Sequence, residues 1–196
     1  MKPPSKHGSP NDFQTPVESL IPLYPYLKKN WIIWECSCGK GNLVNKLKEE
    51  GYNTIGTDII DGRDFLVYQP EEFDCIITNP PYSLKQQFLQ RSYLLGKPFA
   101  FLLPLTTLET PKRQELFKKY GLEIIFFDKR INFETPDGKG MGSWFATAWF
   151  TNGLNIGKEM TFCKWDKSIT TGSNKKSVQN KDKIESLELS RQFFKF

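Results

Sequence analysis

Asn79-Pro80-Pro81-Tyr82 directly follows the apolar run FDCIIT at residues 73–78. A residue that precedes proline is pushed out of the helical region, and two consecutive prolines impose this on both Asn79 and Pro80. The result is a stiff turn at a strand end that fixes two acceptors, the Asn79 side-chain oxygen and the Pro80 carbonyl. Such a pair suits an amino nitrogen whose lone pair is delocalised into a π system, as in the exocyclic amine of adenine or cytosine or in a glutamine amide. Two hydrogen bonds from the amine to those oxygens favour a more tetrahedral nitrogen and aim its lone pair at an incoming methyl group. Orientation and preorganised dipoles then carry the rate. Tyr82 adds a ring against which a planar group lifted from a nucleic-acid stack can lie. The purely structural alternative is a Pro-Pro turn closing a buried strand, with Tyr82 an ordinary rim aromatic.

A second constellation lies upstream. The run Trp31-Ile32-Ile33-Trp34 ends at Glu35 and leads into Cys36-Ser37-Cys38-Gly39-Lys40-Gly41. A glycine turn at the carboxyl end of a first strand is where open α/β sheets bind ligands, so a nucleotide-like cofactor is implied. The dinucleotide fingerprint would place a small residue at position 44, which is Val44, and this argues against a nicotinamide cofactor. Glu35 is placed to pair with the amino group of S-adenosylmethionine, and Gly39 and Gly41 let the backbone approach it without a Cβ clash. Asp58, seventeen residues beyond Gly41, ends the next strand and can accept from both ribose hydroxyls.

The elements that must position these groups follow from hydrophobic spacing. Residues 16–29 carry helical spacing interrupted by Pro22 and Pro25, which predicts a short, irregular helix. Strands are expected at 31–34, 52–57, 73–78, 98–103 and 122–128, with helices at 41–50, 84–95 and 111–120. The alternation predicts an α/β fold with a doubly wound, mostly parallel sheet. The last core pattern, SWFATAWFT at 143–151, is reached from the fifth strand through a glycine-rich loop without a helix, so it should run antiparallel. Its aromatic stripe, Trp144, Phe145, Trp149 and Phe150, reads as core packing. After Gly153 the order weakens, and 183–194 has the pattern of a short helix.

At 196 residues the chain fits one domain with a full core. The organisation expected is a leader at 1–12, a catalytic domain at 13–153 and a basic extension at 154–196. The net charge of +5 is concentrated in that extension, where nine Lys or Arg face five Asp or Glu. Phosphate contacts are compatible with this, but a solvated tail is the commoner explanation. No apolar stretch approaches 18 residues and the N-terminus has no signal-like segment, so a cytosolic protein without a membrane span is expected. Four cysteines, at 36, 38, 75 and 163, are too few and irregular for a disulfide scaffold. A metal site from Cys36, Cys38 and His7 is disfavoured by tight spacing and by a histidine in the leader.

Glu-x-x-x-Gly-x-Gly, a strand-end Asp, Asp64-Phe65 and Asn-Pro-Pro-Tyr, in that order, resemble the Rossmann-type amino-methyltransferases. Asp12-Phe13-Gln14-Thr15-Pro16 resembles the Phe-x-Thr-Pro element of DNA adenine methyltransferases, and small phage-type DNA N6-adenine methyltransferases are the nearest group. Coverage runs from about Asp12 to Phe150. The resemblance implies S-adenosylmethionine as cofactor, with Phe13, Thr15 and Pro16 closing over its methionine portion. It also implies Glu35 and Gly39, with Cys36 in the same set, at the amino and carboxylate groups. Asp58 and Ile59 would bind ribose and adenine, and Asp64 and Phe65 the adenine amine and ring. Asn79, Pro80 and Tyr82 would be catalytic, Tyr82 also stacking on the flipped base, with Phe133 on its other face. DNA, taken as duplex, is the implied partner, with no metal.

Two departures from the family pattern bear on this. Only five residues separate Asp58 from Asp64, so one sheet edge should be trimmed. No long segment remains for target recognition, which leaves short loops such as 106–112 or 134–142, the tail, a second copy of the chain or a separate specificity partner. Methylation of RNA or of protein glutamine is the nearest alternative. A non-catalytic nucleic-acid-binding module of the same fold belongs to a different class.

Overall fold

In the computed structural model, residues 14–133 and 145–165 are described; the leader with Phe13 and His7, the loop 134–144 and the segment 166–196 lie outside them. Seven strands form one sheet: β1 (Ile32–Glu35), β2 (Asn53–Gly56), β3 (Cys75–Thr78), β4 (Phe99–Pro104), β5 (Glu123–Phe127), β6 (Thr147–Asn152) and β7 (Met160–Cys163). Their order is β2-β1-β3-β4-β6-β5-β7. β6 runs antiparallel between β4 and β5, and the remaining pairings are parallel, as the helix-free connection into β6 predicted.

Three helices cover the sheet: α1 (Asn42–Glu49), α2 (Lys85–Leu95) and α3 (Pro111–Tyr120). α1 buries Leu43, Val44 and Leu47 on one stripe, α3 begins on Pro111, and α2 ends at Gly96 in the left-handed region. Val17–Tyr26 is a ten-residue 3-10 segment. Pro22 and Pro25 each remove a backbone donor, so the regular i→i−4 ladder cannot run through it. It is fastened to the sheet by Trp149, whose Nε1 donates to the Ser19 carbonyl at 2.7 Å in a buried bond.

The core has one half on each face of the sheet. On one face Leu20, Leu23, Ile33, Leu47, Ile77, Leu102 and Trp149 pack under the 3-10 segment and α1. On the other, Trp34, Phe65, Phe88, Phe99, Phe101 and Phe150 pack under α2 and α3. β2 is the edge strand, which is the trimmed edge expected from the short Asp58–Asp64 spacing. The chain returns from β2 to β3 with only a 3-10 turn, Ile59–Asp61. Phe65 takes the place of a covering helix: its ring lies 5.2 Å from Trp34 and 4.5 Å from Phe88. The Arg91 Nη2 on α2 ties the same connection down at the Tyr68 carbonyl, 3.2 Å away.

One feature differs from the sequence reading. β7 pairs with β5, so the sheet continues past Gly153, where order was expected to weaken. Phe145, partly buried just ahead of β6, packs against the core half that holds Trp149, as expected, and its ring also lies 5.5 Å from that of Tyr82.

Candidate functional site

β1 lies between β2 and β3, and the chain leaves β1 through α1 toward β2 on one side while β3 lies on the other. This divergence opens a crevice at the carboxyl ends of the strands. Glu35 closes β1, Asp58 follows β2 and Asn79 follows β3, so the three polar strand ends meet there.

The glycine turn is shaped by its backbone. Gly39 and Gly41 have φ of +51° and +84°, a region that side chains with a Cβ avoid, and Gly41 caps α1. Asp58 braces the turn: Oδ2 accepts from the Gly39 N–H at 2.9 Å and Oδ1 from the Ile60 N–H at 3.1 Å. Each oxygen keeps a lone pair for a further donor. Gln14 reaches over from the N-terminal side, its Oε1 accepting from the Lys40 N–H at 3.3 Å. Beyond Asp58, Ile59 and Ile60 are 64% and 87% exposed, an apolar flank against which a planar ring can lie.

Glu35 is 2% exposed, and its Oε1 accepts from the Ser37 N–H at 3.1 Å. Burial pushes its carboxyl up to about 7, with the Asp58 charge adding to the rise; the Thr78 hydroxyl and the Ser37 N–H pull the other way. A buried acid in that condition is satisfied by an incoming cation such as an ammonium. Together with a glycine cradle and a strand-end acid, the donor set fits an amino-acid-bearing nucleoside.

At the Asn-Pro-Pro-Tyr turn, the Asn79 Nδ2 donates to the Thr15 Oγ1 at 2.8 Å. A threonine hydroxyl both donates and accepts, so it can serve either end of an amide; in this arrangement the nitrogen faces Thr15. The other end, Oδ1, is buried with no hydrogen-bond partner. A buried acceptor without a donor costs about 1–3 kcal/mol, a cost that an incoming N–H removes. Ser37 shares a 2.7 Å hydrogen bond with Thr78, and its hydroxyl lies 3.4 Å from the Asn79 carbonyl, linking the cofactor-side turn to the turn after β3. The Tyr82 hydroxyl is likewise buried without a partner, and burial pushes its pKa up, so it stays a protonated donor. Tyr82 and Phe145 meet edge to face at 73°, forming an aromatic corner beside Asn79.

The structure thus brings Thr15, Glu35, Gly39, Asp58, Asn79 and Tyr82 to one end of the sheet, with Pro16 heading the 3-10 segment and Pro80 buried in the turn. Other candidates are placed differently. Phe65 is 2% exposed in the aromatic core, so its ring has no face for an adenine. Phe133 is 7% exposed and packed with the residues under the 3-10 segment, which removes it as an open stacking surface. The Cys36 thiol is buried and its pKa raised by that burial, so only its backbone can serve a ligand. Asp64 uses Oδ1 to accept from the Leu66 N–H at 2.9 Å, holding the turn that carries Phe65. Ser37 and Phe145 were missed. Ser37 carries no signal beyond its place in the glycine turn, and Phe145 was absorbed into an aromatic stripe whose phase is set only by the strand's start.

A surface cavity of ≈ 340 Å³, lined by Gln69, Glu71, Glu72, Asp74 and Lys97 among others, opens near the amino ends of β1 and β3 and includes none of these residues. Among the described residues there is no group of His, Cys, Asp or Glu able to hold a metal, and no helix long and apolar enough to cross a membrane.

No protein-family model and no curated protein matches the sequence. Solved structures do. A protein assigned as a class I S-adenosylmethionine-dependent methyltransferase from Listeria monocytogenes superposes with a TM-score of 0.54 at 16% identity, covering 85% of this chain and 71% of that one. A protein assigned as the modification subunit of a type I restriction enzyme from Vibrio vulnificus gives 0.50 at 13% identity over 94% of this chain. The chain spans 54% of that subunit, about half its length. The chain has the fold of the S-adenosylmethionine-dependent methyltransferases, with β2 as its trimmed edge.

Proposed function

We propose that this protein is an S-adenosylmethionine-dependent DNA methyltransferase that acts on the N6 amine of an adenine turned out of its stack. The observation that carries this reading is the Asn79 amide, its nitrogen tied to Thr15 and its oxygen buried and free. Glu35 would take the cofactor's ammonium, the Gly39–Gly41 turn its carboxylate end, Asp58 its ribose and Ile59 one face of its adenine. Bound there, the cofactor supplies a methyl group on a sulfonium centre.

Asn79 Oδ1 and the Pro80 carbonyl then accept the two N–H bonds of the amine, which draws its lone pair out of conjugation and fixes its direction. Tyr82 and Phe145 form the aromatic wall, and the unpartnered Tyr82 hydroxyl can donate to an acceptor on the base. The diproline turn makes the arrangement stiff before substrate arrives, so little reorganisation is needed at reaction. DNA is favoured over RNA or protein glutamine by the resemblance of residues 12–16, whose Thr15 touches the catalytic amide.

The test is transfer of labelled methyl from S-adenosylmethionine to DNA, RNA and protein fractions by the wild type and by Asn79→Ala. Label in adenine N6 of DNA is expected, falling by about 10²–10³-fold in the variant, the range for loss of one transition-state hydrogen-bond partner. Label in protein alone would overturn the DNA assignment, and equal labelling by both proteins would remove Asn79 from the mechanism.

A further inference from the structure

Two cations, Lys85 and Arg113, hold the turns that follow two neighbouring parallel strands, and among the described residues neither has an ion pair with a carboxylate. β3 and β4 are parallel neighbours, so the turns that follow them emerge at the same end of the sheet. Lys85, the first residue of α2, donates from Nζ to the Tyr82 carbonyl at 2.9 Å. Arg113, in the first turn of α3, donates from Nε to the Thr107 carbonyl at 2.5 Å and from Nη2 to the Thr106 carbonyl at 3.3 Å. Lys85 is partly buried and Arg113 only 8% exposed.

Burial, and then the Arg113 charge, lowers the Lys85 pKa. Arg113 is itself lowered by burial, against which the exposed Glu109 exerts a smaller pull. Among the described residues no carboxylate comes within 4.0 Å of either cation.

Pinning two turns does not require charge. Gln114 holds the Leu108 carbonyl of the same turn with a neutral amide at 2.7 Å. Removing two like charges from water side by side is unfavourable, and an anion between or above them reverses the sign. Polar groups on the same elements are also left over: Gln86 Nε2 on α2 and the hydroxyl of Thr107, which is 0% exposed and whose carbonyl Arg113 holds, are buried without partners. Positive charge with no carboxylate within 4.0 Å among the described residues, together with spare donors, suits an anion that carries several acceptor oxygens.

We propose that Lys85, with Arg113 behind it, is the subsite for one backbone phosphate of a nucleic-acid strand whose adenine occupies the Asn79–Tyr82 turn. The Lys85 ammonium makes the contact. Arg113 adds its field and keeps its bonds to the Thr106 and Thr107 carbonyls of the turn after β4. This rests on the reading of the site as an amino-methyltransferase and sharpens it, because a peptide glutamine brings no anion to this place.

The experiment compares binding of a short adenine-containing DNA strand by the full-length wild type, Lys85→Gln and Lys85→Arg across a salt series, with S-adenosylmethionine affinity measured in parallel. Glutamine retains a neutral donor for the Tyr82 carbonyl while removing the charge. Loss of one phosphate contact lowers the slope of log affinity against log salt by about 0.7 for a single strand. An affinity loss of about tenfold near 0.1 M salt is expected with it. Cofactor affinity should be unchanged, and Lys85→Arg should restore both strand parameters. Deoxyadenosine monophosphate should bind the wild type more tightly than deoxyadenosine, and equally in Lys85→Gln.

An unchanged salt slope in Lys85→Gln overturns the proposal, as does a loss of cofactor affinity equal to the loss for the strand, which would mark a turn-holding role. Inorganic phosphate that displaces the strand as well as deoxyadenosine monophosphate does would mark a free-anion site and also overturn it. If the wild type binds no nucleic acid yet methylates protein, the functional reading itself fails.

Discussion

Thr15→Val removes one oxygen 64 residues away in sequence from the asparagine proposed as catalytic and should slow methyl transfer without loosening the cofactor. In the wild type the Thr15 hydroxyl accepts the Asn79 Nδ2 at 2.8 Å, and the amide oxygen faces the crevice with no partner. Valine keeps the volume and removes the acceptor. The amide nitrogen is then buried without a partner, at about 1–3 kcal/mol, unless the amide rotates and presents nitrogen to the substrate amine. Either outcome weakens the one hydrogen bond that must strengthen in the transition state. Converted through the transition-state relation, kcat should fall by about 5- to 150-fold. Thr15→Ser retains the oxygen and should recover most of it. The assay is single-turnover transfer of labelled methyl to an adenine-containing oligonucleotide, with cofactor affinity measured by calorimetry. A Thr15→Val protein with wild-type kcat and weakened cofactor affinity would refute the argument and leave Thr15 as a cofactor contact alone.

Three further outcomes follow from the same coordinates. Glu35 is raised from the ordinary 4.5 to about 7, so the apoprotein should lose about 3 kcal/mol of stability as pH rises from 4.5 through 7. Chemical denaturation across that range should show the slope in the wild type and not in Glu35→Gln. Because an ammonium pairs with the ionised acid, cofactor affinity should rise with pH up to about 7 and then level, with proton release detectable by calorimetry in two buffers at pH 6, and Glu35→Gln should bind weakly at every pH. Phe65→Ala should cost about 3–5 kcal/mol of unfolding free energy measured by chemical denaturation, as for a large core aromatic, whereas a cofactor-wall residue would instead change cofactor affinity at nearly constant stability.

What the sequence made legible is what depends on local chemistry. The diproline constraint after β3, the glycine turn after β1 and the acid after β2 are each set by a few consecutive residues, and each lies where the strand pattern placed it. The antiparallel direction of β6 followed from a missing helix. Contacts that join distant residues were not legible. Nothing near Thr15 indicates that its hydroxyl meets Asn79, and nothing near Phe65 indicates that its ring replaces a covering helix over Trp34. β7 escaped notice because Met160 and Phe162 are exposed, so its four residues lack the apolar run of a buried strand.

The indole of Trp149 reaches the Ser19 carbonyl from the middle of the sheet, four residues beyond the threonine that holds the Asn79 amide. A substitution there would touch neither donor nor acceptor of the methyl group, yet it would release the strap on which the whole alignment hangs. Because Trp149 is itself fully buried, its variants should lose stability together with turnover, and a search confined to groups lining the crevice would miss their origin.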